Sequence, residues 1–352
     1  MTGRLHAGAW WVWALGLGAA ASRTTNPLLL VLLATVAGVV VAACRTAAPW
    51  ARSYGVFLRL GLVVVAIRTG FHVLLGGTGG TTVLFRLPEV PLPQWAEGVR
   101  LGGPVTAEGL VAALEDGLRI AVILVSVGAA NALANPKRML RSLPAALYEV
   151  SVAAVVGMSV APQLATSAVQ LRRARELRGD TARGWRSIRS LLVPVLEDAL
   201  DRSLTLAASM DARGYGRTAD VPPRVRHATA ALVLAGLVGL CLGSYGLLDG
   251  QAPAYARGPA LVVGVVLSVA GLALGSSRVK RSRYRPDVWN IPSVAVALSG
   301  IAAFVAMLLA GRHGNADLVP PVAPLHPPRL PLLPVLGALV ALAPVAITRP
   351  AS

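Results

Sequence analysis

The chain has 352 residues, 55% hydrophobic and only 14% charged, with a mean hydropathy of +0.64. A water-soluble domain is excluded, because too few polar residues remain to coat that much apolar surface. A formal net charge of +17 would suggest nucleic acid in a soluble protein. Here the basic residues lie between long apolar runs, so they are read as membrane topology and no nucleic-acid partner is expected.

Nine apolar segments are read in chain order: Ala9–Ala21, Pro27–Cys44, Gly55–Gly76, Leu110–Ala134, Ala145–Val160, Ala228–Leu248, Pro259–Gly275, Val294–Gly311 and Leu330–Ile347. A bilayer crossing takes about 20 mostly apolar residues. In lipid such segments must satisfy their own backbone groups, as a helix does. The expected fold class is therefore all-α, a polytopic helical membrane protein. Arg4 ahead of Ala7–Ala21 has the form of a cleaved signal peptide, but this segment is read as a first spanning helix because many more follow. Cys44 and Cys241 lie far apart, each at or in an apolar run, and provide neither a disulfide framework nor a zinc set. His6, His72, His227, His313 and His326 are scattered and read as surface or interface side chains, so no metal site and no cofactor is expected.

Charge patterning orients the chain. Basic residues crowd the stretch from Asn135 to His227, from Lys137 and Arg138 to Arg224 and Arg226, and a second run spans Arg278–Arg285. Both belong on the cytoplasmic side. The loop Gly77–Glu108, with only Arg86 and Arg100, and the Pro-rich linker Leu318–Pro328 are expected outside. If Ala145–Val160 crossed fully, both basic blocks would end up outside. It is therefore read as embedded without spanning, with Glu149 at an interface or against protein. Eight spans remain, with both termini cytoplasmic. The expected organisation is N-terminal membrane helices over 1–134, an embedded segment plus cytoplasmic helices over 135–227, and C-terminal membrane helices over 228–352.

Two amphipathic helices are predicted in the cytoplasmic stretch. Gln163–Arg178 carries Leu164, Ala168, Leu171, Ala174 and Leu177 at helical spacing. Val193–Arg213 carries Val193, Leu196, Leu200, Leu204, Ala207 and Met210. Pro194 suits the first turn of the second helix, and Asp198 and Arg202 are spaced to pair across one turn. Each helix ends in Arg-Gly: Arg178-Gly179 and Ala212-Arg213-Gly214. A left-handed Gly closes a helix, and the Arg beside it projects from the negative end of the helix dipole, offering a fork of five donors. One such end is an ordinary helix stop. Two, on two amphipathic helices in one cytoplasmic stretch, read as a pair of knobs for a cytoplasmic partner.

Elsewhere, Glu115 and Arg119 are spaced to pair near the outer interface. Gly239 with Gly243, and Gly271 with Gly275, have the four-residue spacing that lets membrane helices pack closely. A secondary transporter, carrying its own substrate, would favour charged or broken helices near the midplane, and intramembrane charges are few. No nucleophile–base pair suggests a membrane enzyme.

The stretch from Pro162 to Tyr215, PQLATSAVQLRRARELRGD through SLLVPVLEDALDRSLTLAASMDARGY, resembles the transmembrane T component of energy-coupling factor (ECF) transporters, the group that includes the CbiQ-like cobalt and nickel subunits. That family carries two Ala-Arg-Gly signatures at the ends of cytoplasmic coupling helices. Ser209-Met-Asp-Ala-Arg-Gly-Tyr215 matches the second closely. The first signature is either Arg178-Gly179, with Leu177 in place of Ala, or Ala182-Arg183-Gly184 downstream. Arg178 is preferred because it ends the apolar stripe. Arg119 to Val160 is also similar to the family, with its basic Asn135-Pro-Lys-Arg-Met-Leu segment, whereas the extra C-terminal spans depart from a typical shorter member.

The resemblance implies an energy-coupling subunit of an ABC-type importer in a bacterial inner membrane, of the vitamin or cobalt/nickel uptake class. Its partners would be two cytoplasmic ATP-binding subunits and a small substrate-binding membrane subunit. Arg178, Gly179, Ala212, Arg213 and Gly214 would form the ATPase-docking ends. The chain has no GxxxxGK[ST] loop and is expected not to hydrolyse ATP.

The topology is open to direct test. Cysteines introduced as Arg183→Cys and Arg281→Cys should be shielded from a membrane-impermeant reagent in intact cells, and Pro253→Cys should react. Labelling of the first from outside overturns the assignment.

Overall fold

The computed structural model describes residues 5–46, 49–75, 80–90, 101–141, 148–179, 185–214, 222–248, 253–256, 258–277 and 288–348. The chain divides into two compact units, Met1–Met139 with Asp287–Ser352, and Leu140–Pro286. The C-terminal helices are thus shared out: the last of them fold with the N-terminus.

In the first unit, α1 (Ala7–Ser22) starts at His6, whose Nδ1 accepts from Gly8 N–H. The imidazole is buried and stacks on Trp289, so of the two readings, surface or interface, His6 takes the second and caps the helix as well. α2 (Pro27–Cys44) coincides with the predicted segment. Asn26 caps it by accepting from Leu28 and Leu29, and Pro27 fills a first-turn position that needs no donor. α3 (Ser53–Leu75) and α4 (Ala107–Leu133) pack antiparallel. Glycines make their approach close: a Cβ on Gly128 would lie 2.5 Å from Phe57 Cβ, and one on Gly117 would lie 3.1 Å from Val65 Cα. The stretch read as a loop between them contains an antiparallel hairpin, β1 (Val83–Val90) and β2 (Leu101–Thr106), with Val83 opposite Thr106 and Arg86 opposite Pro104. Short α5 (Pro136–Arg141) follows α4.

α10 (Ile291–Arg312) returns to α1. A Cβ on Gly16 would collide with the Gly300 carbonyl, and one on Gly300 with the backbone of Trp13. The single span expected at Leu330–Ile347 is instead α11 (Leu332–Val340) and α12 (Ala343–Thr348). At the break the Ala341 carbonyl accepts from Trp13 Nε1 at 3.0 Å. Trp13, Leu17, Leu29, Leu33, Val122 and Met307 are among the fully buried side chains of this core.

The second unit contains α6 (Tyr148–Leu177), α7 (Trp185–Ala212), α8 (Pro223–Leu248) and α9 (Gly258–Ser277). α8 and α9 are joined along glycines: a Cβ on Gly239 would lie 2.9 Å from Gly264 Cα, and one on Gly243 would lie 2.5 Å from Leu261 N. Gly271 faces Val233. Leu234, Leu242, Val262 and Val266 are exposed on the outside of this pair, as acyl chains would cover them.

Two boundaries differ from the sequence reading. The embedded segment and the first amphipathic helix are one helix, α6, with Pro162 inside it. An interior proline costs a ladder bond and a clash, but both flanks are helical runs long enough to carry it, and Thr166 bonds its hydroxyl to the Pro162 carbonyl. α7 likewise starts at Trp185, so Pro194 lies inside it and not in its first turn. Glu149 lies outside the residues whose side chains are described.

Among the described residues, six helices are long and apolar enough to cross a membrane: Pro27–Cys44, Ser53–Leu75, Val150–Leu177, Pro223–Gly246, Gly258–Gly275 and Ile291–Arg312. The chain is a multi-pass membrane protein. For Val150–Leu177, length and composition admit a crossing that charge parity argues against. α1, with 16 residues, rises only about 24 Å and is enclosed by its neighbours.

Gly16→Ala tests the α1–α10 contact. Ala should favour a helix by up to about 1 kcal/mol, whereas overpacking costs about 1–3 kcal/mol. Thermal unfolding in detergent, followed by tryptophan fluorescence, should show a lower midpoint for Gly16→Ala. Gly55→Ala, where nothing lies within 4 Å, should be neutral or stabilising. Equal midpoints would contradict the close approach.

Candidate functional site: two arginine tips and a polar crossing

The ends of α6 and α7 are built alike. After Leu177 the backbone closes with Arg178 N–H to the Arg175 carbonyl at 3.0 Å and Gly179 N–H to the Glu176 carbonyl at 3.1 Å. After Ala212, Arg213 N–H reaches the Met210 carbonyl at 3.1 Å, and Gly214 N–H reaches the Asp211 carbonyl at 2.8 Å. These tight three-residue closures satisfy carbonyls that a helix end otherwise leaves open. Gly179 has φ +82° and Gly214 φ +73°, the left-handed region where a Cβ is costly. Each of these glycines also has open space around it, so conformation and not crowding calls for glycine there.

Arg178 and Arg213 are exposed. Neither has an ion-pair partner among the described residues, whereas nearby Arg172 is held by Glu176 at 3.0 Å. Leu177, beside the first tip, is 89% exposed. The apolar stripe predicted for α7 also lacks cover: Val193, Leu196, Leu200 and Leu204 are all exposed. Leu164, Ala168 and Leu171 on α6 are half-buried. The rival signature Ala182-Arg183-Gly184 and the final Tyr215 lie outside the described residues.

The two helices meet at a polar crossing. Asp198 pairs with Arg202 as its spacing predicts, Nε to Oδ1 at 2.9 Å. The sequence reading did not include the other two members. Ser167 donates its hydroxyl to Asp198 Oδ2 at 2.8 Å, and Arg202 donates to Ser167 Oγ at 3.1 Å and to Gln163 Oε1 at 3.4 Å. The available signal was the polar pair Gln163 and Ser167, one turn apart beside the stripe. The Arg202 guanidinium, and then the Ser167 hydroxyl, hold the Asp198 carboxyl below the usual carboxylate range. The network is therefore charged at neutral pH, and it is lost only as pH falls through that lowered value.

One predicted pair is replaced. Arg119 bonds Asp116 at 3.2 Å, not Glu115, and Asp116 also holds Arg68 of α3 at 3.1 Å. Adjacent residues on a helix point about 100° apart. Asp116 faces Arg68 of α3, while Glu115 is turned inward and buried.

The model of one protein family, CbiQ, described as cobalt transport protein, matches residues 5–223. The match runs from the start of α1 through both arginine tips and ends at the first residue of α8. No curated protein and no solved structure matches the chain.

Proposed function

The chain belongs to the CbiQ cobalt transport protein family, the membrane components of ECF-type transporters, and from that premise we propose that it is the energy-coupling subunit of an importer. In this reading two cytoplasmic ATPases dock on the tips of α6 and α7, and a small substrate-binding membrane subunit rests against the same helices. The observation that carries it is the duplicated tip, two helices ending in the same exposed arginine beside a left-handed glycine.

The physics of such a tip suits a groove lined by carboxylates or carbonyls. A guanidinium offers a rigid fork of donors and cannot lose its charge. Docked and desolvated, it gains far more than it does in water. When ATP closes the ATPase pair, the grooves shift and carry the tips with them. The exposed stripe Val193, Leu196, Leu200 and Leu204 provides an apolar face against which the substrate-binding subunit is moved. ATP hydrolysis belongs to the partners, and substrate of the vitamin or cobalt/nickel class is recognised on the separate membrane subunit. The secondary-transporter reading would instead use the group around Glu115, Asp116, Arg119 and Arg68, the cluster of charge within α3 and α4.

Arg213→Ala should reduce recovery of the ATPases with a tagged chain, and substrate uptake with it, while membrane insertion stays intact. Losing one charge-assisted contact at a docked site costs about 2–5 kcal/mol. Arg178→Ala should act in the same direction and the double change more strongly, with Arg183→Ala near neutral. If Arg183 matters and Arg178 does not, the first signature is Ala182-Arg183-Gly184. If none of the changes matters, docking through these tips is wrong and the secondary-transporter reading moves ahead.

A preparation of the chain freed of ATPase subunits should show no ATP turnover. Measured turnover in it would sink the scaffold role.

A further inference from the structure

The polar crossing and the arginine tips share one spacing. On α6 the contacts are made by Gln163 and Ser167, and the tip is Arg178-Gly179. On α7 they are made by Asp198 and Arg202, and the tip is Arg213-Gly214. Adding 35 to each α6 number gives its α7 counterpart. Two of the three side-chain contacts exchange equivalent positions, and the third joins Ser167 to Arg202, the second position on each helix, at 3.1 Å. Gln163, the first contact position on α6, meets Arg202, the second on α7. Ser167, the second on α6, meets Asp198, the first on α7. First meeting second, and second meeting first, is the pattern of a self-complementary two-fold contact. Here it occurs between two unlike helices of one chain.

We infer that a local pseudo-two-fold axis passes through the Gln163–Ser167–Asp198–Arg202 network, and that this network positions the two arginine tips for a two-fold-related pair of ATPases. The inference rests on the docking role proposed above and adds to it the residues that set the spacing. Because the two exchanging contacts pair rising numbers on α6 with falling numbers on α7, the helices leave the crossing in opposite senses. Each tip lies eleven residues beyond the nearer contact position, or about 16 Å of helix. The arms are therefore equal, as a symmetric pair of grooves requires. An asymmetric crossing would seat one arginine and leave the other short.

The network has the chemistry of a positioning device. Ser167 is buried at the contact, its hydroxyl both donating and accepting. Arg202 uses three nitrogens on three partners: Asp198, Ser167 and Gln163. A planar guanidinium held this way fixes an angle as well as a distance.

The test uses spin labels at the equivalent exposed positions Arg173→Cys and Ala208→Cys, in a full-length chain with Cys44 and Cys241 replaced. Pulsed dipolar spectroscopy then reads the distance between the arms. The parent chain should give one narrow distribution. Arg202→Met and Ser167→Val should each broaden or shift it, and uptake by the assembled transporter should fall although Arg178 and Arg213 are intact. The exchange of Asp198→Arg together with Arg202→Asp should restore both readouts, because hydroxyl and amide can each donate or accept. An unchanged distribution in Arg202→Met overturns the positioning role, whatever the tip variants show. Altered distances with normal uptake leave the clamp standing as structure only and overturn its part in coupling. The distance measurement needs no ATPase, so its outcome is separate from that of the docking test.

Discussion

Where α1 crosses α10, Gly16 and Gly300 let one backbone rest on the other. In lipid, helices gain little by hiding apolar side chains from their surroundings, because acyl chains are as apolar as leucine. Close van der Waals approach and interhelical hydrogen bonds must hold them together. The first unit follows that constraint throughout. Trp13 bonds the Ala341 carbonyl, and His6 N–H bonds Ser293 Oγ at 2.9 Å. The Thr24 hydroxyl bonds the Leu318 carbonyl at 2.6 Å. All three join the first helices to the last. The last helices, α10 to α12, which lie beyond the family match, are thus part of this bundle and not an appendage to it.

Within the second unit, two ways of joining helices serve different ends. α8 and α9 are closed along five glycines with no room for a side chain between them, which is the packing of a pair that stays together. α6 and α7 touch through hydrogen-bonding side chains around Ser167 and Asp198, and most of their apolar stripe is left uncovered. Long arms pinned at one polar point keep their ends available to other molecules. The interior prolines, Pro162 just before Gln163 and Pro194 one turn before Asp198, each remove a ladder bond close to that point.

Local chemistry was legible in the sequence, and contacts between distant segments were not. α2 matches its apolar run end for end because Asn26, Pro27 and the charge at Arg45 bound it locally. Both arginine tips were legible because Arg-Gly at the end of an amphipathic stripe is a local stop signal. The hairpin was not read, although Val83, Phe85 and Leu87 alternate, because one short β-rich run among membrane helices gives a weak signal. The continuity of α6 was hidden by Pro162, which in a soluble chain would more often end a helix. The partner of Arg119 and the burial of Glu115 depend on which face α3 and α1 take, and that is decided only by packing. The same holds for Gln163 and Ser167: their role exists only where α7 crosses them.

Asn26 has a consequence in time. Its side-chain amide donates to the carbonyls of Asp317 and Arg329, at 2.8 and 2.7 Å. Those carbonyls are made after almost all of the rest of the chain. While the ribosome produces α3 to α9, the turn between α1 and α2 must keep that amide in water or among lipid headgroups, since acyl chains offer it nothing. The glycine face of α1 waits equally long for α10. α1 and α2 therefore wait for segments made about three hundred residues later to acquire their final neighbours, and maturation of this unit is governed by contacts of very high sequence separation. A chain arrested after the two arginine tips would carry both tips while its own N-terminal bundle was still unfinished.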